Sequence, residues 1–430
     1  DPALEALADE AIDLIGRAQT EEGYFNTYYQ IQYPGLQWTN VRDDHEMYVA
    51  GHYFEAAVAY YEATGKPRAL DIARKFADHL ADVFGEEEGK KRGYCGHPEI
   101  ELALVKLART TGERKDADLS RFFVEERGRS PLYFDIEMAA RAEAGRKERV
   151  ERREPSYFQA HAPIREQTEA EGHAVRAVYL FSGATDIADE YGDESLLEAV
   201  KKLWDNTVNK RMYVTGGIGS SDAYEAFSFD YDLPNERAYA ETCASIGLFI
   251  WGHRLLQIEA DSRYADVMEQ TLYNGLLSGI SLDGRHYFYV NPLEAWPVIT
   301  GKRDDMRSMQ TRRQPWFGCA CCPPNIARLI ASLGQYIYST SDDTVFVHLY
   351  VGSSAEPGVV AGGLRLEQRT RYPWDGTVEL RFAREEGLPE TEGSAAFRLA
   401  LRKPGWCEDY SVTVNGEKTE AFVVEQGYLV

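Results

Sequence analysis

Residues 44–84 read DHEMYVAGHYFEAAVAYYEATGKPRALDIARKFADHLADVF. Apolar side chains recur at helical spacing in two runs, 44–64 and 67–84, joined by a short turn around Gly65. That pattern predicts two amphipathic helices folded back as a hairpin. The same grammar extends on both sides, with helical segments at 3–17, 97–111, 115–126, 170–190, 193–208, 238–258, 261–277 and 323–338. They too pair through short turns, as in LARTTGERKDA (107–117), FSGATDIADEYGDESLL (181–197) and IEADSRYADV (258–267). The repeat is loose and its spacers are unequal. Ten segments make five hairpins, or six if two more helices precede Asp1. A closed ring of six hairpins would bury all their apolar faces.

After Ser341 the period changes from helical to two. TVFVHLYV, LRLEQRTRYPW, TVELRF, AAFRLALRKPGW and YSVTVNGEK alternate apolar and polar residues and end at Gly, Pro or Asn-Gly turns. These predict an antiparallel β-sandwich, incomplete at residue 430. The expected domains are therefore 1–340, helical, and 341–430, a partial β-sandwich. Residues 128–165 fit neither pattern and read as an excursion between hairpins. The chain opens without Met and stops inside an expected strand, EQGYLV, so it reads as a fragment.

A formal charge of −23 would repel phosphate backbones, which argues against nucleic-acid partners. No run of 18 apolar residues is present, so no membrane-spanning helix is expected. The first residues, DPALEALADEAIDLIGRAQ, form an acidic amphipathic helix and do not resemble a signal peptide. Six cysteines in 430 residues are too sparse for a disulfide scaffold, and a reducing, cytoplasmic setting fits them better. The 27 tyrosines and 7 tryptophans suit sugar faces, although most are expected in the core or at its rim.

Three of the six cysteines lie together in GCACCPPN (318–325) as Cys319, Cys321 and Cys322. Proline favours the first helical turn, so Pro323 and Pro324 put the thiols at a helix N-terminus, where thiolate is favoured. Thiolates serve as metal ligands or nucleophiles. A bound metal, structural thiols and a metal-free reactive cysteine all remain open on spacing alone. A metal would need further ligands, and RAYAETCASIG (237–247) offers Glu241 and Cys243. Positions i and i+2 of a regular helix point about 200° apart, so these two could share an ion only at an irregular helix start.

Three hairpins carry a histidine near the start of their first helix: His45, His97 and His173. For any one of them a hydrogen-bonded helix-end role is the simpler reading, but equivalent positions favour a site. Helices running parallel around a ring would bring these histidines, Glu241, Cys243 and the vicinal cysteines to one mouth. Between them, VTGGIGSSDAYEAFSFDYDLPNERAYAETC (214–243) lacks the G-x-G-x-x-G spacing of dinucleotide sites. It places Glu225 between Tyr224 and Phe227, a setting expected to desolvate the carboxylate and raise its pKa towards that of a general acid.

Taken together, HEMYVAGH, REQTEAEGHAVRA, TGGIG, EAFSFDYDLPN, AYAETCA, YVNPLE and CACCPPN resemble glycoside hydrolase family 127, typified by β-L-arabinofuranosidase. The resemblance runs through nearly the whole chain. It implies an (α/α)6 barrel, here N-terminally truncated, followed by β-sandwich domains. It also implies a zinc ion and retaining hydrolysis through a cysteine nucleophile. By motif, zinc would be held by Glu241, Cys243, Cys321 and Cys322. Cys321 would be the nucleophile and Glu225 the acid/base, while His45, His97, His173 and Tyr289 would bind the sugar. The partner implied is a small glycoside or oligosaccharide, and the family suggests a homodimer. The chain departs from the pattern at Tyr224, where glycine is expected, and in its absent N-terminal stretch. The competing readings are a zinc-assisted hydrolase of another furanoside or branched sugar, a non-catalytic carbohydrate-binding protein with structural zinc, and an isomerase or epimerase using the histidines.

Overall fold

The computed structural model of the protein describes residues 1–145, 154–361, 363–384 and 396–430. They fall into two compact units. The first comprises 1–212, 218–240 and 292–308, and the second 213–217, 241–291 and 309–430.

The first unit holds α1 (Pro2–Ala18), α2 (Thr27–Gln32), α3 (Glu46–Thr64), α4 (Arg68–Val83), α5 (Ile100–Thr111), α6 (Arg114–Glu126), α7 (Tyr133–Glu143), α8 (Ala174–Tyr191) and α9 (Glu194–Lys210). The expected hairpins are present as α3–α4, α5–α6 and α8–α9. Each first helix ends at a glycine in the left-handed region, Gly65, Gly112 or Gly192, which lets the chain reverse without a Cβ clash. Burial separates two roles. Every residue of α8 from Ala174 to Ala188 is buried, and so is most of α5, whereas α4, α6 and α9 bury one face only. Helices α3, α5 and α8 therefore form an inner row, with α5 packed against both others. The row is tight. A Cβ at Gly183 of α8 would fall 2.7 Å from Cβ of Glu101 in α5.

Helices α2 and α7 were not expected. Helix α7 lies within the segment read as an excursion, of which 146–153 fall outside the described residues. Its apolar period is weak because, of its three buried residues, only Phe134 is apolar, packing against Tyr94 and Phe158, while the buried Glu137 accepts hydrogen bonds from Val41 N (2.9 Å) and Arg42 N (3.2 Å).

The second unit holds α10 (Thr242–Ile258), α11 (Ser262–Gln270) and α12 (Cys322–Ala331), with both α11 and α12 packed on α10. The segment expected as one helix over 261–277 leaves α geometry at Gln270 and continues as a π turn and a 3-10 turn to Gly279. The segment expected over 323–338 ends at Ala331 and passes through a 3-10 turn into the first strand. Among the described residues no helix is long and apolar enough to cross a membrane.

Among the described residues ten short strands follow: β1 (Tyr338–Thr340), β2 (Thr344–Val347), β3 (Ser353–Ala355), β4 (Arg365–Thr370), β5 (Val378–Ala383), β6 (Arg398–Arg402), β7 (Val412–Val414), β8 (Glu417–Thr419), β9 (Val424–Glu425) and β10 (Tyr428–Leu429). They form a sheet ordered β1-β2-β6-β10-β9, a sheet β3-β4-β5 and the hairpin β7-β8. Val345 and Leu399 of the first sheet share an apolar core with Leu366, Leu380 and Phe382 of the second. The hairpin turns at Asn415-Gly416, both at positive φ, as its Asn-Gly signal requires. One pairing corrects the purely antiparallel expectation. β2 and β6 run parallel, in register from Thr344↔Arg398 to Val347↔Leu401. Parallel neighbours need a long crossover, and the β3-β4-β5 sheet lies within that connection.

Within the second unit, Arg402 ties the strands to the helices. Its side chain is fully buried, pairs with Asp266 and Glu269 of α11, and donates from Nε to the His348 carbonyl (2.6 Å). Removing one member of a buried ion network leaves the others uncompensated. Arg402→Ala is expected to cost about 3–5 kcal/mol in thermal or denaturant unfolding. Arg398→Ala, which removes an exposed pair with Glu425, is expected to cost no more than about 1 kcal/mol. Equal small losses would contradict the tie.

Candidate active site

The predicted residues assemble into two clusters, one in each unit. The first grows from the N-termini of the inner helices. His45 occupies the residue before α3 without capping it through its side chain, His97 lies three residues ahead of α5, and His173 caps α8. Their rings form a row, with centroids 5.6 Å apart from His45 to His97 and again from His97 to His173. The inner helices thus begin side by side, as the equivalent positions of the histidines implied.

Backbone neighbours fix which nitrogen of each ring carries a proton. His45 Nδ1 lies 2.6 Å from the Asp43 carbonyl and His97 Nδ1 lies 3.0 Å from the Pro98 carbonyl. A carbonyl only accepts, so both rings carry their proton on Nδ1 and present Nε2 as an acceptor. His173 is the reverse. Its Nδ1 accepts from Val175 N (3.2 Å) and Arg176 N (3.4 Å), which leaves the proton on Nε2. That Nε2 donates to Glu225 Oε2 at 2.7 Å. His173 thus spends Nδ1 on the start of α8 and Nε2 on the Glu225 carboxylate. Burial, followed by the nearby Arg176 charge, pushes the pKa of His45 down, and that of His97 well down. Both stay neutral at physiological pH.

Glu225 sits in a loop that folds back on His173. Ala226 forms a β-bridge with His173, and Phe227 N donates to the Gly172 carbonyl (2.9 Å). Tyr239 OH donates to Glu225 Oε1 at 2.6 Å, so each carboxylate oxygen has a donor. The side chain is 36% exposed, which departs from the desolvated aromatic setting expected. Phe227 is buried near it, but Tyr224 is half exposed. Hydrogen-bond donors, more than burial, define its surroundings. Tyr239 lies within the AYAETCA motif, and nothing in its spacing distinguishes it from a core tyrosine.

The second cluster joins the starts of α10 and α12. Glu241 is the N-cap of α10, with extended backbone, and Cys243 is the second residue of the helix. This is the irregular start needed for residues i and i+2 to face one point. Cys321 caps α12 and Cys322 opens it. Ligand atoms of Glu241, Cys243, Cys321 and Cys322 all lie within 4.8 Å of one another. Cys319 is exposed and stands outside this group, and all six cysteines are thiols.

Sulfur–sulfur distances are 3.4 Å for Cys243–Cys322 and 3.7 Å for Cys321–Cys322. Glu241 Oε1 lies 3.5 Å from Cys321 Sγ and 3.6 Å from Cys322 Sγ. Tetrahedral zinc, with bonds of about 2.3 Å to sulfur and about 2.0–2.2 Å to oxygen, requires edges of about 3.8 Å and about 3.5 Å. The three sulfurs and one carboxylate oxygen therefore fit such an ion in both chemistry and spacing.

Without a cation the thiols must divide their protons. Hydrogen bonds from Cys243 and then Cys322 hold Cys321 far below the ordinary thiol range, with Tyr289 OH adding a third (3.1 Å). Cys243 is pushed up chiefly by its bond to Cys321, and Cys322 by burial. Cys321 is thus the sulfur on which negative charge is most stable. Tyr289 reaches it because the 289–290 backbone pairs with the start of α10: Thr242 N donates to the Tyr289 carbonyl (3.0 Å), and Glu241 bridges Val290.

Comparison with known proteins agrees with the motifs. Residues 1–335 match the family model described as the GH127 catalytic domain of β-L-arabinofuranosidase, and 344–430 match the GH127 middle domain. A non-reducing end β-L-arabinofuranosidase of Bifidobacterium longum subsp. longum is 44% identical across the whole of this chain. The chain spans 65% of that relative's length. A GH127 β-L-arabinofuranosidase from Geobacillus stearothermophilus T6 superposes with a TM-score of 0.94 at 52% identity, covering all of this chain and 66% of the other. A further GH127 β-arabinofuranosidase structure gives 0.84 at 40% identity, covering all of this chain and 65% of the other. The chain belongs to the GH127 β-L-arabinofuranosidase family.

Proposed function

We propose that the protein is a retaining glycoside hydrolase that releases L-arabinofuranose from the non-reducing end of β-L-arabinofuranosides. In this reading Cys321 is the nucleophile and Glu225 the acid/base. Glu241, Cys243, Cys321 and Cys322 hold zinc, and His45, His97, His173 and Tyr289 surround the sugar. The observation that carries the reading is the gathering of the Cys321 sulfur with Glu241, Cys243 and Cys322 within 4.8 Å of one another, with the Tyr289 hydroxyl 3.1 Å from it. The relatives' names supply the sugar.

The two clusters also share one stretch of chain, since Tyr239, which donates to Glu225, precedes Glu241 by two residues. We further propose that the helical hairpins belong to an (α/α)6 barrel over 1–340, followed by a β-sandwich domain from 341. The inner row α3, α5 and α8, backed by α4, α6 and α9, supports this. Six thiols in one chain are consistent with a reducing compartment.

The chemistry follows from the charges. In the first step the Cys321 thiolate attacks the anomeric carbon as the glycosidic C–O bond breaks. Glu225 gives its proton to the departing oxygen, and a thioglycosyl enzyme results. In the second, Glu225, now a carboxylate, takes a proton from water. The water oxygen displaces Cys321 sulfur, and the anomeric configuration is retained. A bound zinc supplies positive charge that keeps the sulfurs ionised at neutral pH. The acceptor nitrogens of His45 and His97 suit sugar hydroxyls, which donate. The Nε2–H of His173 and the Tyr239 hydroxyl orient the Glu225 carboxyl.

Metal analysis of protein purified without added zinc should find about one equivalent per chain, as a four-ligand site requires. Fully folded protein lacking metal would end the zinc assignment. Glu225→Gln should reduce cleavage of alkyl or sugar glycosides by about 100-fold or more, while activated aryl glycosides, which need less protonation, lose much less. Equal losses on both would assign Glu225 a binding or structural role.

A further inference from the structure

Two of the three histidines in the row are placed by helices, since His45 immediately precedes α3 and His173 caps α8. His97 is placed by a loop, with Pro98 and Glu99 between it and α5. Groups from elsewhere in the unit hold that loop. Arg176 Nη1 donates to the Gly96 carbonyl at 2.6 Å, so it grips the peptide unit that joins Gly96 to His97. One residue earlier, Arg127 Nη2 donates to the Cys95 carbonyl at 2.8 Å. Gly96 N in turn donates at 2.9 Å to the carbonyl of Val41, four residues ahead of His45. A Cβ on Gly96 would fall 1.8 Å from the Arg42 carbonyl oxygen, so only glycine fits at this crossing. Arg176 itself lies on α8, three residues after His173, and is 4% exposed. Its guanidinium stands over the rings of Tyr157 (4.7 Å) and Phe158 (5.2 Å), which steady its plane. The segments that carry His45, His97 and His173 thus meet around Gly96, the last of them through Arg176.

We infer that Arg176 is a positioning residue for the sugar site: through the Gly96 carbonyl it sets the place of His97 between His45 and His173. The inference rests on the reading in which these histidines bind the sugar. His97 Nδ1 is spent on the Pro98 carbonyl of its own loop, so the aim of Nε2 follows the loop backbone that Arg176 holds. A hydrogen bond to a hydroxyl away from the breaking bond stabilises bound substrate and transition state alike. Its loss therefore appears in KM more than in kcat.

The test is a double-mutant cycle on methyl β-L-arabinofuranoside, whose poor leaving group keeps the first step slow and KM close to a dissociation constant. Arg176→Met should raise KM about tenfold, with kcat changed less than about threefold. Arg176→Lys keeps a donor without the planar fork and should raise KM about threefold. It carries the cycle if the methionine variant does not fold. His97→Ala alone should raise KM at least as much as either. In the His97→Ala background neither change at Arg176 should raise KM further, because the residue it positions is gone. A merely structural role would cost the same with and without His97. A wild type that cleaves the glycoside, with KM unmoved by either variant or raised equally in both backgrounds, overturns the positioning role and leaves the proposed function standing. A wild type that does not cleave it overturns the proposed function and this inference together.

Discussion

Three sulfurs and a carboxylate oxygen packed within 4.8 Å of one another cannot all bear negative charge unless a cation shares the space. This constraint organises much of the second unit. It needs two helix starts to meet, α10 at Glu241 and α12 at Cys321, where the helix ends favour negative charge. It also needs the 289–290 backbone to brace one of those starts, which brings the Tyr289 hydroxyl to Cys321. In the proposed chemistry the same constraint turns an ordinary thiol into a nucleophile. There the Cys321 sulfur also meets the Tyr289 hydroxyl, 3.1 Å away.

The first unit answers with neutral groups. Its histidines are held in fixed tautomers by neighbouring backbone, and desolvation followed by the Arg176 charge lowers the pKa of the half-buried His45 and His97 and keeps them uncharged. The uncharged imidazoles of His45 and His97 can hydrogen-bond hydroxyls without competing for the proton that Glu225 carries in the proposed chemistry. His173 spends one nitrogen on capping α8 and the other on Glu225, so a single residue couples the helix start to the proposed acid/base.

Much of this was legible in the sequence, for identifiable reasons. The hairpins were visible because α4, α6 and α9 face the inner row on one side and water on the other, which writes a helical period into the chain. The cysteine cluster was visible because vicinal thiols before two prolines are rare in a chain with six cysteines. Helix α7 was not visible, because two of its three buried residues, Glu137 and Arg141, are charged and Phe134 alone is apolar. The parallel β2–β6 pair was hidden because strand alternation reports which face is buried and says nothing of direction. Tyr239 was hidden because a tyrosine that serves a carboxylate looks, in sequence, like one that fills a core. The setting of Glu225 was misjudged for a related reason: neighbours along the chain, Tyr224 and Phe227, say little about which groups face a side chain in space.

The account turns on Cys321 as the atom that forms the covalent bond. Reaction with an electrophilic L-arabinofuranosyl mimic, then digestion and mass spectrometry, measures this directly. The account predicts a single adduct on Cys321, abolished in Cys321→Ser. An adduct on Glu225, Cys322 or Cys319 would contradict it.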